Sequence, residues 1–287
     1  MNTIFPLQKA IGVFDSGVGG LSVLREIRNT IPHAPIIFFG DQYHVPYGPR
    51  SLNEVLSFSR IITRFLINLG AEMIVVACNA ASAAALIELR KEFPAIPFVG
   101  MEPAVKPAAE KTLTGTVGVL ATPATFQGKL YASVIERFAN GVKIVQDTCP
   151  GLVQQIEKAD FNSEATVNIL KKAIEPMINA GIDKVVLGCT HYPFVIPAIQ
   201  QIVGPKIQVI DPAPAIARQT AKIYEQIQQN PVVIDHTLNT PTFIITSGDT
   251  SKLAEIIAKF IPFSVKLIEA EWDKNNYNLN LTHTNQT

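Results

Sequence analysis

Two cysteines stand where apolar runs stop. Val185-Val186-Leu187-Gly188 ends at Cys189, and Thr190, His191, Tyr192 and Pro193 follow at once. Upstream, Ile74-Val75-Val76-Ala77 ends at Cys78, with Asn79, Ala80, Ala81 and Ser82 behind it. Each run reads as a buried strand that delivers a thiol to the turn before a helix. A single cysteine so placed is most often a small buried hydrophobe. Two thiols presented alike suggest two matched bases, able to take a proton from one face of a carbon and return one to the other. A free thiol has a pKa of about 8.5, so little of it is ionised at neutral pH. A helix N-terminus favours the thiolate, and each pKa unit gained is worth about 1.4 kcal/mol. Both thiols are therefore expected to be helped by the helix that follows.

Other residues could assist them. His191 stands two positions after Cys189, and imidazole is the group whose pKa suits proton exchange with a thiol. Asp15-Ser16 opens the glycine-rich Gly17-Val18-Gly19-Gly20. It is either a helix cap with an acidic first turn or a carboxylate beside a thiol, with Ser16 taking a substrate anion. The string lacks the last glycine of the dinucleotide fingerprint, and no Walker A sequence occurs. Asp41, at a strand end, caps a turn or joins the site. Tyr47-Gly48, within Pro46-Tyr47-Gly48-Pro49, is a rigid loop that could offer a backbone N–H to a small ligand. Cys149 has no His or Asp adjoining it to form a base pair and reads as structural. Glu157 on a short helix is unremarkable by itself.

These residues need a scaffold. Strands are expected at 11–14, 36–39, 74–78, 98–101, 116–121, 142–146, 184–188, 207–210, 243–246 and 265–268, alternating with helices. Ser51-Leu52-Asn53-Glu54 forms a capping box before the clearest helix, which Gly70 stops. The longer expected helices are 82–93, 123–138, 164–180, 194–203, 215–229 and 251–260. Strands alternating with helices imply parallel sheets wound on both faces, with ligands beyond the carboxyl ends of the strands. The similarity of the two cysteine strands hints at two facing α/β units. The chain is expected to cross between them near Pro97 and Asp211. Residues 1–97 and 211–271 then form a first domain carrying Asp15 and Cys78. Residues 98–210 form a second carrying Glu157, Cys189 and His191. From Trp272 the chain is rich in Asn and Thr, and 272–287 reads as a flexible tail.

Composition narrows the class. Across 287 residues, Lys+Arg and Asp+Glu are both 24, so net charge gives no case for a nucleic-acid or membrane partner. Hydrophobic residues make up 47%, enough for sizeable cores. Three cysteines without C-x-x-C give neither a disulfide framework nor a zinc-finger spacing. No metal-ligand set is evident. No signal peptide or membrane span is read, so a cytoplasmic protein with reduced thiols is expected. The sequons at Asn280 and Asn285 are then chance matches.

Taken together, six strings in order closely resemble glutamate racemase, of the aspartate/glutamate racemase family. They are Gly12-Val13-Phe14-Asp15-Ser16-Gly17-Val18-Gly19-Gly20, Pro46-Tyr47-Gly48-Pro49-Arg50-Ser51, Ala77-Cys78-Asn79, Gly100-Met101-Glu102-Pro103-Ala104, Gly118-Val119-Leu120-Ala121-Thr122-Pro123-Ala124-Thr125 and Gly188-Cys189-Thr190-His191-Tyr192-Pro193. The resemblance implies two pseudo-symmetric α/β domains with the active site in the cleft between them. It implies racemisation of L- and D-glutamate without a cofactor, supplying D-glutamate for peptidoglycan. By resemblance, Cys78 takes the α-proton of D-glutamate and Cys189 that of L-glutamate. Asp15 assists the first thiol and His191 the second, with Asp41 and Glu157 as further acidic residues. Asp15, Ser16, Tyr47, Gly48, Asn79, Ala80, Thr190 and His191 match positions at the bound amino acid. Ala80 departs from the family's usual Thr, which removes a hydroxyl and bears on affinity. A homodimer is expected. Some members bind DNA gyrase as a second role, which nothing in this sequence supports.

Rival readings remain. An aspartate racemase of the same fold tends to carry Glu in the place of His191. A non-catalytic binding protein would not require intact thiols. A cysteine hydrolase using Cys189 and His191 leaves Cys78 unexplained.

Overall fold

The computed structural model describes residues 5, 7–228, 241–273 and 278–282. The first four strands and three helices follow the alternation expected. They are β1 (Ala10–Asp15), α1 (Leu21–Thr30), β2 (Ile36–Gly40), α2 (Leu52–Asn68), β3 (Ala71–Val76), α3 (Asn79–Glu92) and β4 (Phe98–Gly100). All of β1 and β2 is buried, as near-continuous apolar strands of a covered parallel sheet must be. The capping box is present, with Ser51 accepting the Glu54 N–H and Glu54 accepting the Ser51 N–H. Gly70 ends the segment at φ +101°, where only glycine is unstrained.

The chain then builds α4 (Val105–Lys111), β5 (Thr116–Ala121), α5 (Pro123–Gln127), α6 (Lys129–Phe138), β6 (Lys143–Asp147), α7 (Leu152–Glu157), α8 (Glu164–Asn179), β7 (Lys184–Gly188), a 3-10 turn (Tyr192–Val195), α9 (Ile196–Val203) and β8 (Gln208–Ile210). It returns through α10 (Ala213–Ile227), β9 (Thr242–Thr246), α11 (Thr250–Phe260), β10 (Lys266–Asp273) and β11 (Asn278–Leu281).

Two sheets result. The larger has the order β11-β10-β9-β2-β1-β3-β4, and the smaller β6-β5-β7-β8. Among the described residues, all pairings are parallel except β10 with β11. The segment β2-β1-β3-β4 and the whole smaller sheet share one pattern, in which the second strand lies beside the first, then the third and fourth. Each cysteine follows the third strand of its own set. One apolar core joins the sheets, running from Val13 and Leu24 to Tyr192, Ile174 and Leu187. Phe194 and Phe260 meet across the junction at 4.4 Å between ring centroids. Burying each such side chain contributes about 1.5–3 kcal/mol, so the halves are joined firmly on this side.

The structure departs from the sequence expectations in five places. Phe98–Gly100 pairs with β3, so the first crossing lies after Gly100 and not at residue 97. The helix expected over 123–138 divides at Gly128, where Ala83 of α3 packs too closely for a side chain. The α4 helix was not expected; it is seven residues long and contains Pro107. The helix after Cys189 begins only at Ile196, behind the 3-10 turn. The tail is the fifth correction, because Trp272 and Asp273 end β10 and Asn278–Leu281 pairs with it. Leu279 is buried in that strand, and one apolar face suffices for a short edge strand. Residues 274–277 and 283–287 of the expected tail, including the Asn285 sequon, lie outside the described residues, as does Gln229. Among the described residues, no helix is long and apolar enough to cross a membrane.

Candidate active site

The carboxyl ends of the central strands face one another across a small cavity. Its walls are Ser16, Pro46, Tyr47, Gly48, Cys78, Asn79, Ala80, Thr122, Val153, Cys189, Thr190 and His191. Both thiols therefore reach one space, from equivalent strands of the two sheets. The cavity is about 20 Å³, room for roughly one water. A larger ligand requires the walls to part.

Cys78 caps α3 with an extended backbone, φ −133° and ψ 121°. Its Sγ lies 3.9 Å from Ser16 Oγ. Burial pushes this thiol well above its ordinary value, and the Asp15 carboxylate pushes it further. The Ala81 and Ser16 N–H groups pull the other way without reversing the shift. The helix thus fails to make this thiol acidic in the closed cavity, contrary to expectation. Such a group is protonated at neutral pH and becomes a strong base once it loses its proton.

Cys189 is set differently. The 3-10 turn behind it has only four residues, so the expected helix dipole is absent. His191 takes its place, with Nδ1 3.8 Å from Cys189 Sγ. The other imidazole nitrogen, Nε2, lies 2.6 Å from Glu157 Oε1. Burial opposes a charge on His191, but the contacts with Cys189 and Glu157 outweigh it and raise its pKa well above 6.5. A proton can pass directly between this imidazole and the sulfur.

Asp15 does not line the cavity. It stands behind the wall, fully buried, and its Oδ2 accepts N–H groups of Gly17 (3.1 Å) and Gly20 (3.0 Å). Oδ1 accepts the Thr190 hydroxyl at 3.1 Å. Burial raises its pKa, against the lowering effect of His191 and the two N–H groups. The capping reading of Asp15 is corrected, because Gly20 is the N-cap of α1 and its first turn holds no acidic residue. Asp15 instead braces the turn before the helix and adds charge near Cys78. Glu157 also stands one layer back. Its Oε1 takes the Val18 N–H at 3.0 Å as well as His191, stitching the glycine turn of one sheet to the other. A side chain on Gly17 would collide with that carboxylate, so the close approach needs glycine.

Asp41 is likewise absent from the cavity wall. Its carboxylate accepts Tyr47 Oη (2.6 Å), His44 Nδ1 (2.9 Å), Ser247 Oγ (2.8 Å) and Trp272 Nε1 (2.7 Å). Through Tyr47 it holds the Pro46–Gly48 wall. Gly48 O accepts the Ala124 N–H at 3.0 Å, and a side chain on Gly48 would meet Thr122.

Asn79 supplies the clearest sign of a ligand. Its side chain is buried, and neither its oxygen nor its nitrogen has a partner. Leaving such groups unsatisfied costs about 1–3 kcal/mol each, unless a polar ligand completes them. Sequence reasoning placed Ser16, Tyr47, Gly48, Cys78, Asn79, Ala80, Cys189, Thr190 and His191 at the site, and all nine share the cavity. It missed Pro46, Thr122 and Val153 as wall residues. Thr122 follows directly on β5, and that strand-end position was the available signal. Cys149 is buried, and burial raises its pKa. Among the described residues, no group of three or more His, Cys, Asp or Glu is arranged to hold a metal ion.

The chain as a whole is similar to known proteins. Residues 11–220 match the family model described as Asp/Glu/Hydantoin racemase. The glutamate racemase of Roseiflexus sp. (strain RS-1) is 45% identical over 251 residues, covering 87% of this chain and 91% of that one. The glutamate racemase of Pseudomonas aeruginosa is 42% identical over 253 residues, with 88% and 92% covered. Among solved structures, Escherichia coli glutamate racemase, in complex with L-glutamate and the activator UDP-MurNAc-ala, superposes with a TM-score of 0.79. It is 31% identical, with 92% of this chain and 98% of that one covered. With two facing strand-end thiols, an imidazole on the second and this degree of likeness, the chain belongs to the glutamate racemases of the Asp/Glu/Hydantoin racemase family.

Proposed function

We propose that this protein interconverts L- and D-glutamate by proton transfer between two thiols. The observation that carries the reading is that Cys78 and Cys189 line one cavity from equivalent strands of two sheets. Inverting a carbon centre needs removal on one face and delivery on the other, and two opposed sulfurs do this without turning the substrate. Cys78 takes the α-proton of D-glutamate, and Cys189 that of L-glutamate. Each returns a proton in the opposite direction. General acid–base groups of this kind contribute about 10²–10⁴-fold each. His191 relays protons at Cys189, with Glu157 fixing its ring. Asp15 raises the basicity of Cys78 by its charge. The unpartnered Asn79 amide, the Ser16, Thr122 and Thr190 hydroxyls and the Gly48 backbone are placed to hold the two carboxylates and the ammonium. Donors that meet the charge building on the α-carboxylate stabilise the transition state.

This chemistry requires no cofactor. The D-glutamate formed serves peptidoglycan synthesis, and the family resemblance supports a cytoplasmic homodimer, which sedimentation of the purified protein checks. The decisive experiment incubates the protein with D-glutamate in D₂O without additions. Optical rotation should decay to zero while deuterium enters the α-position. Undiminished rotation sinks the reading, and faster loss with D-aspartate moves the substrate to the shorter acid.

A further inference from the structure

We infer that Trp272 is a positioning residue for the reaction, acting from the far end of the chain through Asp41 on the Tyr47–Gly48 wall. The inference rests on the racemase reading above. Tyr47 is buried against the cavity, and its hydroxyl donates to Asp41 Oδ2 at 2.6 Å. The position of that ring is therefore set by where the carboxylate points. Two donors on the other oxygen, Oδ1, fix the direction: Trp272 Nε1 at 2.7 Å and Ser247 Oγ at 2.8 Å. Both belong to the return segment, Trp272 on β10 and Ser247 just after β9. The indole also meets His44 edge-on at 4.7 Å between centroids. His44 is itself bonded to Asp41 Oδ2 at 2.9 Å and stacked on Phe58 at 4.0 Å. The indole thus holds both the carboxylate and the base of the loop that carries the wall.

Polar ties between the two halves are fewer on the side of the cavity that carries this loop, among the described residues. The opposite side is stitched by Glu157 to Val18 and by Thr190 to Asp15, and closed by the Phe194–Phe260 contact. Across the Tyr47 side, among the described residues, Gly48 O accepts the Ala124 N–H, and Ala124 packs in one apolar cluster with Tyr47 and Cys78. Substrate entry then works against a wall whose rest position Trp272 and Ser247 set, so their loss acts on binding before chemistry.

The test uses the full chain and steady-state racemisation of both enantiomers. Trp272→Phe keeps the ring packing and removes the N–H. KM for each enantiomer should rise about three- to tenfold, the scale of one ordinary net hydrogen bond, with kcat within about twofold of the parent. Ser247→Ala removes the second donor from the same oxygen. It should shift KM in the same direction, less than additively when combined with Trp272→Phe. Should Trp272→Phe fail to fold, the KM shift in Ser247→Ala decides. An unchanged KM in the folded variants, or a lower kcat at constant KM as a smaller active fraction gives, overturns the inference. A parent protein that leaves glutamate unchanged overturns the racemase reading, and this inference with it. An active parent with unmoved variants overturns the inference alone.

Discussion

The two thiols occupy equivalent places in two sheets of the same strand order, yet their surroundings differ. Cys78 opens a fourteen-residue helix and faces a buried carboxylate, so it is held as a thiol. Cys189 opens a short turn and leans on an imidazole that Glu157 fixes in place. One side stores its proton on sulfur. The other can share its proton with nitrogen. A racemase needs one sulfur as acid and the other as base, with the roles exchanged for the opposite enantiomer, and the two sulfurs meet that need in different surroundings. Fold symmetry gave matched positions, and local side chains made them chemically distinct.

The largest effect expected is from removing either sulfur. Cys78→Ala and Cys189→Ala should each lower racemisation by about 10²–10⁴-fold. The remaining thiol still faces one enantiomer. NMR in D₂O should show Cys189→Ala exchanging the α-proton of D-glutamate alone, and Cys78→Ala that of L-glutamate alone, both without inversion. Exchange of both enantiomers in either variant would break the comparison, because it would mean one sulfur reaches both faces.

A smaller effect is expected from the partner that only Cys189 has. His191→Asn should lower kcat/KM by roughly tenfold to a hundredfold. The loss must be equal in both directions, since the two enantiomers are equally stable in water. The asymmetry shows instead in isotope effects. Slowing the Cys189 step should raise the effect seen with α-deuterated L-glutamate and lower that seen with the D-enantiomer. Equal movement of both would place His191 away from a single face.

The smallest effect is on stability, and it separates the two sides by pH. The His191 pKa is raised on folding, so its contribution is fully present below about 6.5 and lost as pH climbs through the higher folded value. The Cys78 thiol is raised too, from 9.0, so its loss begins only in more alkaline solution. Thermal melts of the parent should decline in two stages. His191→Asn should remove the earlier stage, and Cys78→Ser should shrink the later one, which buried Cys149 shares. One decline unaltered by either substitution would show that the two groups do not titrate as the geometry requires.

Much of this arrangement could be read before any coordinates. Apolar runs that stop at Asp15, Cys78 and Cys189 announced strand ends, and strand ends of parallel sheets are where ligands bind. The positions that escaped were of other kinds. Leu279 and Leu281 alternate with asparagines, but two apolar residues in a polar segment give too weak a period to mark a strand. Trp272 lies 231 residues from Asp41, and no local pattern reports a bond across that distance. The turn behind Cys189 replaced an expected helix start, because Pro193 and Pro197 shape the segment after the strand. Asp41 looked like a site carboxylate, but four donors claimed it.

Sequence alone determined the kind of chemistry and where along the chain it sits, because thiols, imidazole and glycine turns are chosen residue by residue and strands are set by local apolar period. Tertiary structure decided what each group can do. Whether a thiol keeps its proton depends on burial and on charges brought from other strands. The bracing of Asp41 by Trp272 exists only when distant strands of the larger sheet assemble, the pairing of His191 with Glu157 only when the smaller half folds, and the shared cavity of the two sulfurs only when the sheets close on one another. A linear pattern carries no record of which distant side chains will then share a few ångströms.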